Sequence, residues 1–132
     1  MATPKDSLTG VWHGLYTYAA QPEPVYFLAT LIQFGTSLTG STQESERGEH
    51  GAPLTLVAAI NGNRHGASVP FTKTYDGVGG WDHAVAYDGA LNGDGTEIEG
   101  RWSIGNLASG RFLMIRSQGA SESVVRRSFA KV

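Results

Sequence analysis

The chain has 132 residues, a formal charge of −2 and 40% hydrophobic residues spread along its length, which suits one folded domain and argues against disorder. Its ten Lys and Arg residues are scattered apart from Arg126-Arg127, so there is no basic footprint for nucleic acid. The absence of Cys excludes disulfides, thiolate metal sites and Cys nucleophiles.

No stretch keeps a helical stripe, because Gly and β-branched residues interrupt each one. Strand signals recur instead. The first run is Leu8 to Ala19, with Trp12, Gly14, Tyr16 and Tyr18 on one face and Val11, His13, Leu15 and Thr17 on the other. Gln21-Pro22-Glu23-Pro24 predicts a turn, since Pro cannot donate to a ladder. Val25 to Phe34 is a second strand, apolar on both faces, and Thr36 to Ser45 a polar third with Leu38, Gly40 and Thr42 in phase. Glu46 to Pro53 is charged and Gly-rich and reads as a loop.

Leu54 to Ile60 is the fourth strand, and Asn61-Gly62 predicts a tight turn after it. Gly66 to Tyr75 follows, with Val69, Phe71, Lys73 and Tyr75 on one face. Trp81 to Leu91 carries Trp81, His83, Val85 and Tyr87 in phase. Asn92-Gly93-Asp94-Gly95 turns the chain into Thr96 to Ile104, and Arg111 to Ser117 completes the set. Residues 1–7 and 119–132 are read as irregular or tail segments of a single domain spanning 1–132.

Eight short strands joined mostly by short turns predict an all-β fold, an eight-stranded antiparallel up-and-down barrel, with a two-sheet sandwich as the alternative. Such a barrel encloses either a packed core or one small ligand. Strands two, four and eight are apolar on both faces, which predicts a buried outer face and hence a homodimer or homotetramer, or coverage by Val124, Val125 and Phe129. No apolar signal segment opens the chain, and no apolar run approaches the roughly 20 residues of a membrane helix. The expectation is a cytoplasmic protein with no nucleic-acid or membrane partner.

Ser7-Leu8-Thr9-Gly10-Val11-Trp12 resembles the Thr-Gly-x-Trp opening strand of the avidin and streptavidin family, and Gly10-Val11-Trp12 also resembles the start of lipocalins, within the broader calycin group. Leu38-Thr39-Gly40 with Glu44-Ser45, and Ile98-Glu99-Gly100-Arg101-Trp102, are similar to later strands of the avidin barrel. The resemblance implies the barrel and a ligand cavity. It does not imply biotin: Gly14 stands where the family has a polar biotin contact, and Thr42-Gln43 replace its expected Tyr. The resemblance also implies that Arg116, in phase with Phe112 and Met114, stacks over Trp12 and closes one barrel end.

The leading functional expectation is non-catalytic binding of a small, partly apolar ligand, without cofactor or metal. Its lining would be Trp12, Tyr16, Thr42, Trp81, His83, Tyr87 and Trp102. One alternative is a small barrel enzyme, an isomerase, cyclase or hydrolase using His83 or a Tyr as acid or base. Another is a structural domain with a filled barrel. Glu44, Glu97 and Glu99 are read either as paired carboxylates or as solvated strand ends. His13, His50 and His65 show no metal-ligand spacing.

Overall fold

The computed structural model describes residues 6–47, 51–77 and 83–117. The predicted start of the sixth strand at Trp81 and the segment 119–132 lie outside the described residues. The elements are β1 (Gly10–Tyr18), β2 (Gln21–Phe34), β3 (Ser37–Arg47), β4 (Pro53–Asn63), β5 (Ser68–Tyr75), β6 (Ala84–Leu91), β7 (Glu97–Ile104) and β8 (Ala108–Arg116). Each pairs antiparallel with its chain neighbour, and β1 pairs with β8, closing the barrel. The sandwich alternative is therefore set aside. No helix among the described residues is long and apolar enough to cross a membrane.

Residue alternation sets the inner face. In β5 and β6 every second residue is buried, from Val69 to Tyr75 and from Val85 to Leu91. Trp12, Tyr16, Phe27, Leu31, Ile60, Phe71, Tyr87, Trp102 and Phe112 join them in one continuous core. The room at Gly14 is not empty. The Phe27 ring lies across it and takes the space a side chain would fill. On the outer face Leu15 and Leu113 are paired in register and buried, with half-buried Ile115 packed against them, whereas Tyr26, Leu28, Ile32 and Phe34 of β2 are exposed.

Two predicted turns are strand instead. Pro22 and Pro24 belong to β2, whose first residues pair with β1 alone; pairing with β3 begins only at Phe27. No ladder partner on that side requires the missing N–H, so the prolines are tolerated. Asn61-Gly62 lies inside β4, where Gly62 pairs with Leu38 on one side and Phe71 on the other. The turn comes later, around Gly66, whose φ is +62°. Gly62 is required by close approach: an added Cβ would strike the Pro70 carbonyl and sit 2.5 Å from the Phe71 Cβ. The charged stretch at 46–53 also contributes strand at both ends, since β3 runs to Arg47 and β4 starts at Pro53.

One end of the barrel is sealed. The Arg116 guanidinium stands 4.5 Å above the Trp12 ring, as the resemblance implies. It donates to the carbonyls of Ser7 at 2.6 Å, Gly95 at 3.1 Å and Thr9 at 3.2 Å. Trp12 Nε1 donates to the Leu8 carbonyl at 2.9 Å, and Leu8 is fully buried beneath this cap. The opposite end carries the half-buried apolar residues Tyr18, Val25, Leu54, Ile104 and Ala108, at the strand ends that meet there.

If Gly62 is a strand glycine held by close approach, Gly62→Ala lowers unfolding stability by about 1–3 kcal/mol. Gly93, with open space around its Cα, tolerates Ala within about 0.5 kcal/mol. Urea denaturation of the two variants reads the difference; equal stabilities would contradict the register of β4.

Candidate functional site

The interior contains a charged cluster that an apolar barrel does not require. Glu44, inward on β3, and Lys73, inward on β5, are 4% and 1% exposed. Lys73 Nζ lies 3.3 Å from Glu44 Oε1. The same carboxylate accepts two short hydrogen bonds, from the Tyr16 hydroxyl to Oε2 at 2.6 Å and from the Tyr75 hydroxyl to Oε1 at 2.7 Å. Bonds of this length to a carboxylate are the charge-assisted kind.

Around the ammonium stand four aromatic rings. Its nitrogen is 4.7 Å from the centre of Tyr16, 5.0 Å from Tyr75, 5.1 Å from Phe27 and 5.3 Å from Tyr87. Ring faces attract a cation most strongly where water is excluded. Burial lowers the Lys73 pKa below its ordinary value, with the Glu44 charge opposing the shift. The phenols move the other way. Burial, followed by the Glu44 charge for Tyr16 and its hydrogen bond for Tyr75, holds both well above the ordinary tyrosine range. Tyr87 is raised by burial first and by its Tyr75 neighbour second.

Four of the expected site residues are drawn to this cluster or its edge. Tyr16 is part of it. Tyr87 stacks on Phe71 at 4.7 Å and faces Lys73. Trp102 meets Tyr16 edge-on at 5.9 Å and Tyr18 at 5.0 Å, while its Nε1 donates to the Thr17 carbonyl at 3.0 Å. Thr42 lies two residues from Glu44 on the same face, 1% exposed, and its hydroxyl has no hydrogen-bond partner. A buried polar atom without a partner is uncommon and asks for one.

The others are placed differently. Trp12 sits at the sealed end beneath Arg116, away from the charged pair. His83 is half-buried just before β6, its ring 4.9 Å from the Tyr75 ring. Trp81 lies outside the described residues. Glu44 is neither a solvated strand end nor one of a carboxylate pair. Glu97 and Glu99 belong to β7, on the far side of the barrel, with Glu99 exposed.

Lys73 and Tyr75 are not among the site residues expected from the sequence. Their signal is present: Val69, Phe71, Lys73 and Tyr75 alternate strictly, which places a lysine on an apolar face. Glu44 shares the parity of Leu38 and Thr42, the other inward residues of β3.

Toward the unsealed end a concavity of about 610 Å³ runs along the outer face of β1, β6, β7 and β8, where exposed Ala86, Asp88, Arg101 and Arg111 line it beside Tyr18 and Trp102. A second, of about 720 Å³, lies over β2 and β3 and touches Tyr26, Leu28, Gln43 and Glu44.

The architecture defines an eight-stranded antiparallel up-and-down barrel. No family model matches the sequence, and no curated protein matches it. Among solved structures the chain is similar to a designed protein described as a de novo fluorescence-activating β-barrel. The identity is 11%, the match covers 89% of this chain and 100% of that one, and the TM-score is 0.58. At that identity the likeness shows the fold alone.

Tyr16, Tyr75 and Tyr87 are three of five tyrosines. Raised phenol pKa values mean that above about pH 10 the unfolded chain releases protons that the native barrel retains, so stability falls as pH rises past that point. Lys73 opposes this, since its lowered value favours the native state as pH rises toward that of a free lysine, but three groups outweigh one. Absorbance titration should show Tyr16, Tyr75 and Tyr87 ionising only as the barrel unfolds. Ionisation of Tyr16, Tyr75 and Tyr87 without loss of structure would contradict the buried cluster.

Proposed function

We propose that the protein binds a small, partly apolar molecule at the unsealed end of the barrel, without catalysing a reaction on it. The apolar rim of Tyr18, Val25, Leu54, Ile104 and Ala108 receives the ligand body. Tyr87 and Trp102 flank it, and the Tyr16–Glu44–Lys73–Tyr75 cluster with Thr42 reads its polar group. Trp12 supports the site by sealing the far end, and His83 stands at its edge.

The observation that carries this reading is the ionic pair itself. A buried ion pair is weak evidence for stability, because desolvation offsets much of the attraction. Apolar residues would fill this interior at least as stably, so the charged pair and the unpartnered Thr42 hydroxyl point to a polar recognition task. A designed barrel of the same architecture is described as fluorescence-activating, which supports small-molecule uptake as a use of such a fold.

We read the barrel as avidin-like within the calycin group on the Trp12–Arg116 stack that seals its end. Biotin is not the ligand in this reading, because Gly14 offers no side chain and Phe27 lies over it. We also take the exposed outer stripe of Tyr26, Leu28, Ile32 and Phe34 as the contact of a homodimer or homotetramer.

Native mass spectrometry of protein purified from cells tests both statements. The expected result is an assembly at two or four times the 14.0 kDa chain mass, carrying an added small mass that leaves on denaturation. Thr42→Val and Tyr16→Phe should deplete that added mass. A bare barrel that also gains no thermal stability from a panel of aromatic small molecules would overturn the ligand reading. A 14.0 kDa species alone would overturn the oligomer.

A further inference from the structure

We propose that Lys73 is an imine-forming amine, and that the ligand class of this barrel includes aromatic or conjugated aldehydes held covalently and reversibly at its Nζ. The inference rests on the ligand-binding reading above and names the chemistry of the same site.

The argument starts from scarcity. The chain has three lysines, and two of them, Lys5 and Lys131, fall near its ends in sequence. The third points into the barrel at 1% exposure, on a strand whose other inward residues are Val69, Phe71 and Tyr75. A methionine would fill that volume without the cost of desolvating an ammonium. What methionine cannot supply is a nucleophilic nitrogen. Lysines used this way are found in desolvated surroundings, where the free amine is more accessible.

The groups around Nζ match the needs of the reaction. Glu44 Oε1, at 3.3 Å, is positioned to take the ammonium proton and release the neutral amine. The nitrogen lone pair then attacks the carbonyl carbon, and the carbonyl π pair moves to oxygen. A proton from the Tyr16 or Tyr75 hydroxyl reaches that oxygen and is replenished through Glu44, to which both phenols bond at 2.6 and 2.7 Å. Glu44 then takes one proton from the carbinolamine nitrogen and passes it through a phenol to the hydroxyl, so that water leaves as the freed nitrogen pair forms the C=N bond and the carboxylate is restored. The sum is an ammonium and an aldehyde giving a protonated imine and water, with no redox partner and no change in charge.

The product suits the site as well as the reactant does. A protonated imine keeps one positive charge at the Nζ position, where Glu44 already serves as counter-ion. The rings of Tyr16, Phe27, Tyr75 and Tyr87 already face a cation there. Those same rings offer stacking surface to a conjugated aldehyde. Thr42, buried with its hydroxyl unpartnered, provides a hydrogen-bond group for the departing oxygen or a ligand substituent.

The test uses the full chain and 4-(dimethylamino)cinnamaldehyde, whose absorbance shifts to the red when it forms a protonated imine. Cyanoborohydride reduction at pH 7 followed by peptide mapping locates the adduct. The expected result is a red-shifted band and an adduct that maps to Lys73 in preference to Lys5 and Lys131. Lys73→Arg, which keeps the charge, should abolish band and adduct. Glu44→Gln should move the band, because it removes the counter-ion. Mapping the unsubstituted protein settles the assignment even if a variant fails to fold. Saturable quenching of tryptophan fluorescence by the aldehyde, with labelling at Lys5 and Lys131 alone, would overturn the imine and leave the ligand reading standing. No quenching and no adduct at Lys73 would overturn the imine, while native mass spectrometry decides the ligand reading separately.

Discussion

The contact between Glu44 and Lys73 organises the interior of this barrel. Two charges taken out of water persist only where other groups replace the lost hydration. Here the replacements come from four strands: Tyr16 on β1, Phe27 on β2, Tyr75 on β5 and Tyr87 on β6. The pair itself ties β3 to β5, which are not neighbours in the sheet. Closure of the barrel is what brings these six side chains to one point, since a flat sheet of the same strands would spread them along its face. The raised phenol pKa values and the depressed amine follow from the same burial.

The two ends of the barrel divide the work. At one end each of the three Arg116 guanidinium nitrogens donates to a backbone carbonyl while the face of the group covers Trp12. At the other end the half-buried residues are apolar, and Trp102 and Tyr18 meet edge-on beside a concavity. The charged cluster lies nearer this second end, where Tyr75 closes β5 and Glu44 is near the end of β3. Glycine serves packing here: Gly14 admits the Phe27 ring, and that ring in turn forms one wall of the Lys73 cage.

The fold was largely legible because strict alternation survives in nearly every strand. Parity alone placed Trp12, Tyr16, Thr42, Tyr87 and Trp102 inward, and all five are buried. Turn chemistry was the weaker guide. Asn61-Gly62 has the composition of a tight hairpin, yet the ladder from β3 and β5 continues across it because Gly62 allows the backbones to approach. Pro22 and Pro24 read as a break, yet only one side of that stretch is paired. The site was half legible. Aromatic residues announce an interior, whereas Glu44 and Lys73 carry a prior for solvent that only their partnership overturns. That partnership joins residues 29 positions apart on non-adjacent strands, and no local pattern encodes it.

The most direct test is a double-mutant cycle between Glu44 and Lys73, read by urea unfolding. Glu44→Leu and Lys73→Met each strand one charge in the core and should cost about 3–5 kcal/mol, while the double variant should lose less than either single change. Losses that simply add would contradict the claim that the two residues form one buried unit around which the barrel interior is built.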